Sequence, residues 1–251
     1  FELLQPQSVE EAVSLLSAHA EEARIIAGGQ SLLIMLRNGL VRPKYVLALG
    51  SLEVLAGIQL TPEGQLSIGA LTTHREISRS ALVREKAGIL VQAASQIGCT
   101  PVRNFGTIGG NLCHNEMGGD PPPALLVLEA KVECASVRGR RKIPAAELFT
   151  DYFDTCLEPD EILVGLEIPP PSPHSVGVYL KHTIRSGDLA IVGVAALLQM
   201  RDGFCQEAKL ALGGVGPVSF RGLDAERLLR QQPLNEDVID ERPADLLRDE
   251  M

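Results

Sequence analysis

Two glycine-rich runs carry the residue types best suited to hold a ligand. In the first, Ile26-Ala27-Gly28-Gly29-Gln30-Ser31-Leu32-Leu33, a short apolar run enters two glycines, a polar pair and a second apolar run. A turn of this kind after a strand sets successive backbone N–H groups in a concavity, and Gly28 and Gly29, lacking Cβ, admit the close approach of a diphosphate. No Lys follows and the spacing is not GxGxxG, so neither a P-loop nor the usual dinucleotide fingerprint is present. In the second run, Arg103-Asn104-Phe105-Gly106-Thr107-Ile108-Gly109-Gly110-Asn111-Leu112, Thr107 and Asn111 add side-chain hydrogen bonds for an anion or a sugar. Each run alone also reads as ordinary chain geometry, a turn after a strand for the first and a β-bulge or edge loop for the second. Together they describe a clamp that grips one pyrophosphate from both sides through backbone amides. Gly109→Val is then expected to release the ligand while sparing the fold.

The elements around these runs follow from capping and periodicity. Ser8-Val9-Glu10-Glu11 has the capping-box form, and Val9, Ala12, Val13 and Leu16 recur at helical spacing to about Ala18. Arg24 to Ala27 and Tyr45 to Leu49 read as short strands, giving a small α/β lobe. Val54 to Ile58 and Leu66 to Ala70 bracket the turn Thr61-Pro62-Glu63-Gly64 as a hairpin. Thr73-His74-Arg75-Glu76 is a second capping box, and the stripe Val83, Ala87, Leu90, Val91, Ala94 and Ile97 ends at Gly98, as a helical hairpin or one kinked helix. Asp120 before Pro121-Pro122-Pro123 would cap a helix over Ala124 to Ala130. Strands are expected at Val132 to Val137, Arg141 to Ile143 and Ile162 to Ile168. Pro169 to Pro173 is a stiff linker and the best boundary, dividing 1–170 (lobes of about 1–53 and 54–170) from 174–251. Beyond it, Gly177 to Thr183, Ala190 to Met200 and Glu207 to Gly213 read as three antiparallel strands before a helix over Leu223 to Arg230.

Composition narrows the function. The 251 residues, 45% apolar, can bury a sizeable core. With 23 Lys plus Arg against 32 Asp plus Glu the net charge is -9, which disfavours nucleic acid and anionic membranes as partners. No apolar run reaches the length of a membrane span, and no basic-then-apolar leader opens the sequence. A cytoplasmic location is expected, tempered by a first residue, Phe1, that is not Met. Cys99, Cys113, Cys134, Cys156 and Cys205 are scattered without a CxxC pair, so no iron-sulfur or zinc centre is expected on this chain, and most read as plain buried thiols. No Ser-His-Asp constellation or acid/base dyad is visible, so no catalytic side chain is assigned.

Ala27-Gly28-Gly29-Gln30-Ser31-Leu32 and Thr107-Ile108-Gly109-Gly110-Asn111-Leu112 resemble the AGGxSL and TIGGNL motifs of the FAD-binding medium subunit of molybdenum hydroxylases, the family of xanthine dehydrogenase and aerobic carbon monoxide dehydrogenase. Gly69-Ala70-Leu71-Thr72-Thr73-His74 and Leu212-Gly213-Gly214-Val215-Gly216-Pro217 fall in family order, so the resemblance covers nearly the whole chain. It implies an α+β fold. A two-lobed FAD-binding domain of the vanillyl-alcohol oxidase-like kind would precede a small C-terminal domain of a three-stranded antiparallel sheet and helices. It also implies one FAD held by Ile26 to Leu33 and by Thr107 to Asn111. Asp120, thirteen residues after Thr107, would be the cofactor-contacting aspartate, its other reading being the helix cap. Lys181 would stand near the flavin, stabilising negative charge on its reduced form. Otherwise Lys181 is solvated beside a surface pair of Arg185 and Asp188.

The resemblance further implies the last stage of a larger enzyme. A large subunit would carry the molybdenum cofactor and a small one the 2Fe-2S clusters, as a dimer of heterotrimers. FAD on this chain would pass electrons to NAD+, a quinone or oxygen. A self-sufficient FAD-dependent oxidoreductase and a non-catalytic scaffold that has lost its flavin are the alternatives. Two departures stand out. Cys113-His114-Asn115-Glu116-Met117 replaces the family's Ala-His-Ala-Asp-Pro, with Cys113 open between a buried and a redox-sensitive thiol, His114 between a loop histidine and a catalytic base, and Glu116 between a solvated residue and a substitute for the family's carboxylate. The family's final strand and helix also have no counterpart before Asp249-Glu250-Met251, through trimming or divergence.

Overall fold

The computed structural model describes residues 1–234; the expectation about the final strand and helix lies outside them. The chain opens with β1 (Glu2–Leu4), α1 (Val9–His19), β2 (Ala23–Ile26), α2 (Leu32–Arg37) and β3 (Tyr45–Ala48). The strands form a parallel sheet in the order β1-β3-β2. Ser8 Oγ accepts from Glu11 N at 3.1 Å, and the Glu11 carboxylate takes Gln7 N at 2.7 Å, so the cap forms one residue wider than a capping box. Val9, Ala12, Val13 and Leu16 then face inward. By contrast α2 buries none of its side chains although its sequence is Leu-Leu-Ile-Met-Leu-Arg, and Leu33 and Ile34 are exposed.

The second sheet is antiparallel, in the order β4 (Ile58–Leu60), β5 (Leu66–Gly69), β10 (Ile162–Ile168), β6 (Lys131–Ser136) and β7 (Gly139–Pro144). Its hairpin strand is shorter than expected. Val54 lies in a 3-10 turn over Glu53–Leu55, because Leu55 is buried and its carbonyl accepts Leu71 N at 2.8 Å. One side of this sheet is covered by α3 (His74–Arg79), α4 (Ala81–Gln96), α6 (Ile108–His114), α7 (Pro121–Val127) and α8 (Ala145–Leu148), while α5 (Thr100–Phe105) lies against α3 and buries none of its side chains. Thr73 and Glu76 form the full capping box of α3, Ser80 caps α4, and α4 kinks at Ala87 (φ -148°, ψ 53°). The stretch is therefore two helices with a further kink. Ala135, Ile162 and Val164, from β6 and β10, pack with α1 and β3, which seats the first lobe against the second. A tight hairpin, β8 (Phe149–Asp151) and β9 (Asp154–Thr155), follows α8. Sequence reading did not anticipate this hairpin, β1, α5 or α8.

After the proline run, β11 (Ser175–His182), β12 (Val192–Arg201), β13 (Phe204–Gly213) and β14 (Phe220–Arg221) form an antiparallel sheet ending in α9 (Leu223–Leu229). The expected three strands gain a short fourth, paired with Ala211 and Leu212. Glu226 on α9 is buried yet fully engaged: Arg221 Nε and Nη2 reach its carboxylate at 2.8 and 2.6 Å, and Leu210 N at 2.9 Å. Tyr179, Ala195 and Ala211 belong to the main core with the helices of the second lobe. Ala190 N donates to Gly118 O at 3.2 Å and Gly214 N to Met117 O at 2.9 Å, tying this sheet to the segment between α6 and α7. No helix among the described residues is long and apolar enough to cross a membrane.

Candidate functional site

A cleft of about 580 Å³ lies between the lobes, and both glycine runs line it. On one wall β2 ends and the chain turns through Gly28 and Gly29, the latter in the left-handed region at φ +71°. Among the described residues none accepts a hydrogen bond from the backbone N–H groups of Gly28 to Ser31. Gln30 Nε2 bonds back to Gly28 O at 3.0 Å, and Leu33 N to Gly29 O at 3.1 Å, which fixes the turn while its amides stay available. Four successive donors left unpaired on a cleft wall are what an anion can use.

The other wall differs from the expected loop. Thr107 is the N-cap of α6, so Gly109 and Gly110 lie in its first turn. Ile108 N donates to Thr72 O (3.0 Å), Gly109 N to Ala70 O (2.9 Å), Gly110 N to Thr107 Oγ1 (3.1 Å) and Asn111 N to Thr107 O (3.0 Å). The amides of this run are engaged within the protein, which corrects the two-sided amide clamp. What this wall offers is the Thr107 hydroxyl and the Asn111 carboxamide. The glycines serve packing first. A Cβ on Gly28 would stand 1.8 Å from Phe105 O, and one on Gly109 would stand 2.7 Å from Ala70 Cβ. Valine at buried Gly109 would therefore disturb the fold together with the site, contrary to expectation. At exposed Gly110 a Cβ meets Thr107 Oγ1 at 3.0 Å and Ala27 Cβ at 4.0 Å, both side-chain atoms.

Two buried side-chain atoms without a hydrogen-bond partner, His74 Nδ1 and Asn111 Oδ1, belong to residues that line this cleft. Leaving such an atom unpaired costs roughly 1–3 kcal/mol, which a ligand in the cleft would recover. His74 is 3% exposed; in the sequence it belongs to a capping box and to a step in family order, and its place on the cleft wall needs the third dimension, since its backbone N bonds to Gly106 O at 3.0 Å. Burial pushes its pKa down to about 4, so the ring is neutral at pH 7. The unfolded chain takes up this proton first. Stability from His74 is complete above about pH 6.5 and drains as pH falls toward 4, by about 3 kcal/mol in total. Replacing His74 by Phe should flatten that acid limb in melting temperatures measured between pH 7 and pH 4.

Asp120 and Lys181 lie outside the cleft lining and meet each other. Lys181 Nζ is 2.9 Å from Asp120 Oδ2, and the two side chains are 2% and 3% exposed. Tyr179 OH donates to Asp120 Oδ1 at 2.7 Å, and Lys181 Nζ also reaches Gln96 O at 3.2 Å. Asp120 stands at the N-cap position of α7 but makes no side-chain cap bond, so the capping reading is corrected. Burial raises its pKa, with Tyr179 and Lys181 pulling the other way. Lys181 is thus not solvated. Arg185 and Asp188 are exposed and joined by a backbone turn bond of 3.1 Å, with no ion pair between them among the described residues.

The departing run ends α6. His114 and Phe153 both line the cleft with ring centroids 5.2 Å apart. Burial lowers the pKa of His114, against the pull of half-buried Glu116. Cys113 is an exposed thiol on the cleft wall rather than a buried one, as is Cys99 elsewhere, whereas Cys134 and Cys205 are buried.

Comparison with known proteins identifies the family and the fold. The model of the FAD binding domain in molybdopterin dehydrogenase matches residues 1–171, and that of the CO dehydrogenase flavoprotein C-terminal domain matches residues 178–250. The chain is 35% identical over 237 residues to the 6-hydroxypseudooxynicotine dehydrogenase complex subunit alpha of Paenarthrobacter nicotinovorans, covering 94% of this chain and 79% of that one. It is 32% identical over 241 residues to the xanthine dehydrogenase FAD-binding subunit of Escherichia coli O157:H7, covering 95% and 82%. The solved carbon monoxide dehydrogenase from Hydrogenophaga pseudoflava contains a chain that superposes with a TM-score of 0.94 at 31% identity, over 98% of this chain and 85% of that one.

Proposed function

Because the chain belongs to the family of FAD-binding domains in molybdopterin dehydrogenases and is an oxidoreductase component, we propose that it is the FAD-binding electron-transfer subunit of a molybdenum hydroxylase. The observation that carries this reading is the pairing of free amides with orphaned polar atoms in one cleft. Gly28 to Ser31 would receive the pyrophosphate, Thr107 and Asn111 would bond it or the adjoining sugar from the opposite wall, and Ile26, Ala27, Leu32, Leu33 and Ile108 would fix the two loops. Asp120 and Lys181, which the resemblance implies as flavin contacts, are paired with each other outside the cleft lining and would shape the flavin end of the site from behind its wall. As an ion pair they bring no net charge, so they act through hydrogen bonds rather than through the field of a lone lysine. When bound, FAD supplies the redox chemistry that the side chains lack.

The partners follow from the same reading: a small subunit with 2Fe-2S clusters as electron donor, a large subunit with the molybdenum cofactor, a dimer of such heterotrimers, a cytoplasmic setting, and NAD+, a quinone or oxygen as acceptor. Residues 1–170 and 174–251 would be its two domains. The test is the visible spectrum and metal content of the natively expressed protein. Flavin bands at one FAD per chain, with iron and molybdenum in the co-purifying subunits, are expected. A chain without flavin bands would be a scaffold, and a lone chain that oxidised an organic substrate at full rate would be a self-sufficient enzyme; either result overturns the proposal.

A further inference from the structure

The hairpin between β8 and β9 carries two exposed aromatic residues, Tyr152 and Phe153, in a chain with only 4% aromatic content. Phe153 is 56% exposed, lines the cleft and takes a left-handed backbone conformation at φ +54°. Such a conformation is uncommon for a bulky residue and persists only where its surroundings enforce it. Here the enforcement is visible. Asn115, 2% exposed, leaves α6 in the left-handed region at φ +43°, a conformation that Asn tolerates. Its Nδ2 donates to Asp151 O at 2.7 Å and to Asp154 O at 2.9 Å, the carbonyls on either side of the tip. Phe153 N returns a bond to Asn115 O at 3.3 Å. The clamp holds the Phe153 ring beside His114, at 5.2 Å and an interplanar angle of 48°.

We infer that Phe153, with His114 behind it, is a stacking surface for a flat heteroaromatic ring of the dinucleotide, and that Asn115 is the positioning residue that aims it. The inference rests on the FAD reading above and adds the subsite that would grip a ring, where the glycine runs grip the diphosphate. A half-exposed phenyl ring on a cleft wall gains by covering its face with a base or an isoalloxazine. The His114 ring backs it at 5.2 Å, and burial disfavours a charge there. Adenine and isoalloxazine share this chemistry, and ligand halves separate them.

The test uses the full chain, in its native complex where it has one, stripped of flavin and titrated with FAD, ADP and FMN. Phe153→Leu should weaken FAD about tenfold with an unchanged melting temperature of the flavin-free protein, and Phe153→Tyr should restore affinity to within about twofold. A matching loss for ADP alone identifies adenine as the stacked ring, and for FMN alone the isoalloxazine. Asn115→Gly keeps the left-handed conformation but removes the clamp. It should weaken FAD as Phe153→Leu does, and combining the two should add nothing further, because Asn115 acts through Phe153. Unchanged FAD affinity in Phe153→Leu, or additive losses in the double variant, would overturn the inference and leave the FAD reading intact. An unaltered chain that binds no FAD at all would instead overturn the FAD reading.

Discussion

Gly28→Ala should leave the chain unable to retain FAD. The added Cβ would stand 1.8 Å from the Phe105 carbonyl oxygen and 2.6 Å from its carbon, and both are backbone atoms at the end of α5. No rotamer relieves a backbone clash, so the turn from Gly28 to Ser31 must move away from the α5–α6 junction. That movement separates its free amides from Thr107 and Asn111. Losing two charge-assisted hydrogen bonds to a diphosphate, at roughly 1.5 kcal/mol each, corresponds to about 100-fold in affinity. The strain should also cost about 1–3 kcal/mol of stability. Fluorescence titration with FAD and thermal melting of the flavin-free protein read the two effects separately. Gly88→Ala is the control, since nothing lies within 4 Å of its added Cβ and Ala favours the helix. Tight FAD binding by Gly28→Ala would refute the proposed seat of the pyrophosphate.

Lys181→Met should strongly destabilise the chain. It leaves the Asp120 carboxylate buried with Tyr179 OH as its remaining donor, and breaking a buried pair from one side costs roughly 3–5 kcal/mol. The loss should depend on pH in a defined sense. An acid whose pKa is raised by folding lends stability below its unfolded value and loses it as pH rises through the folded one. Without Lys181 the Asp120 pKa climbs further, so the variant should be weakest near neutrality and approach the unaltered chain toward pH 4. Asp120→Asn combined with Lys181→Met should recover most of the loss, because no uncompensated charge is then buried. Equal destabilisation of Lys181→Met at pH 4 and pH 7 would show that the pair contributes packing rather than charge.

Local chemistry made much of this legible in the sequence. Ser8 and Thr73 mark true helix starts because a cap is a contract between near neighbours, and Val9, Ala12, Val13 and Leu16 face inward as their spacing requires. The first glycine run reads correctly as a turn, since its conformation is set by Gly29 itself. The second was harder. Thr107 and Gly110 make a helix cap, but glycine in a first turn disguises a helix as a loop, and α6 is only seven residues long. Beyond local range the sequence is mute about partners. Asp120 meets Tyr179 and Lys181 across 59 and 61 residues, so its placement before three prolines suggested a cap that a stronger donor pair overrides. Phe153 signalled itself only as an aromatic in polar company, and nothing in its neighbourhood announced the grip of Asn115 from 36 residues away.

The main-chain ties from Ala190 to Gly118 and from Gly214 to Met117, together with the placing of Tyr179, Ala195 and Ala211 in the main core, bear on how this chain comes apart. A proline run usually marks where a protein can be cut into pieces that survive alone. Here the cut would strip the roof from one core and leave its donors and acceptors facing water on both fragments. The two halves should therefore melt as a single cooperative unit, and the amides of Ala190 and Gly214 should exchange with deuterium only in the global unfolding event. Swapping the C-terminal sheet between relatives at the prolines would fail unless the residues flanking Asp120 travelled with it.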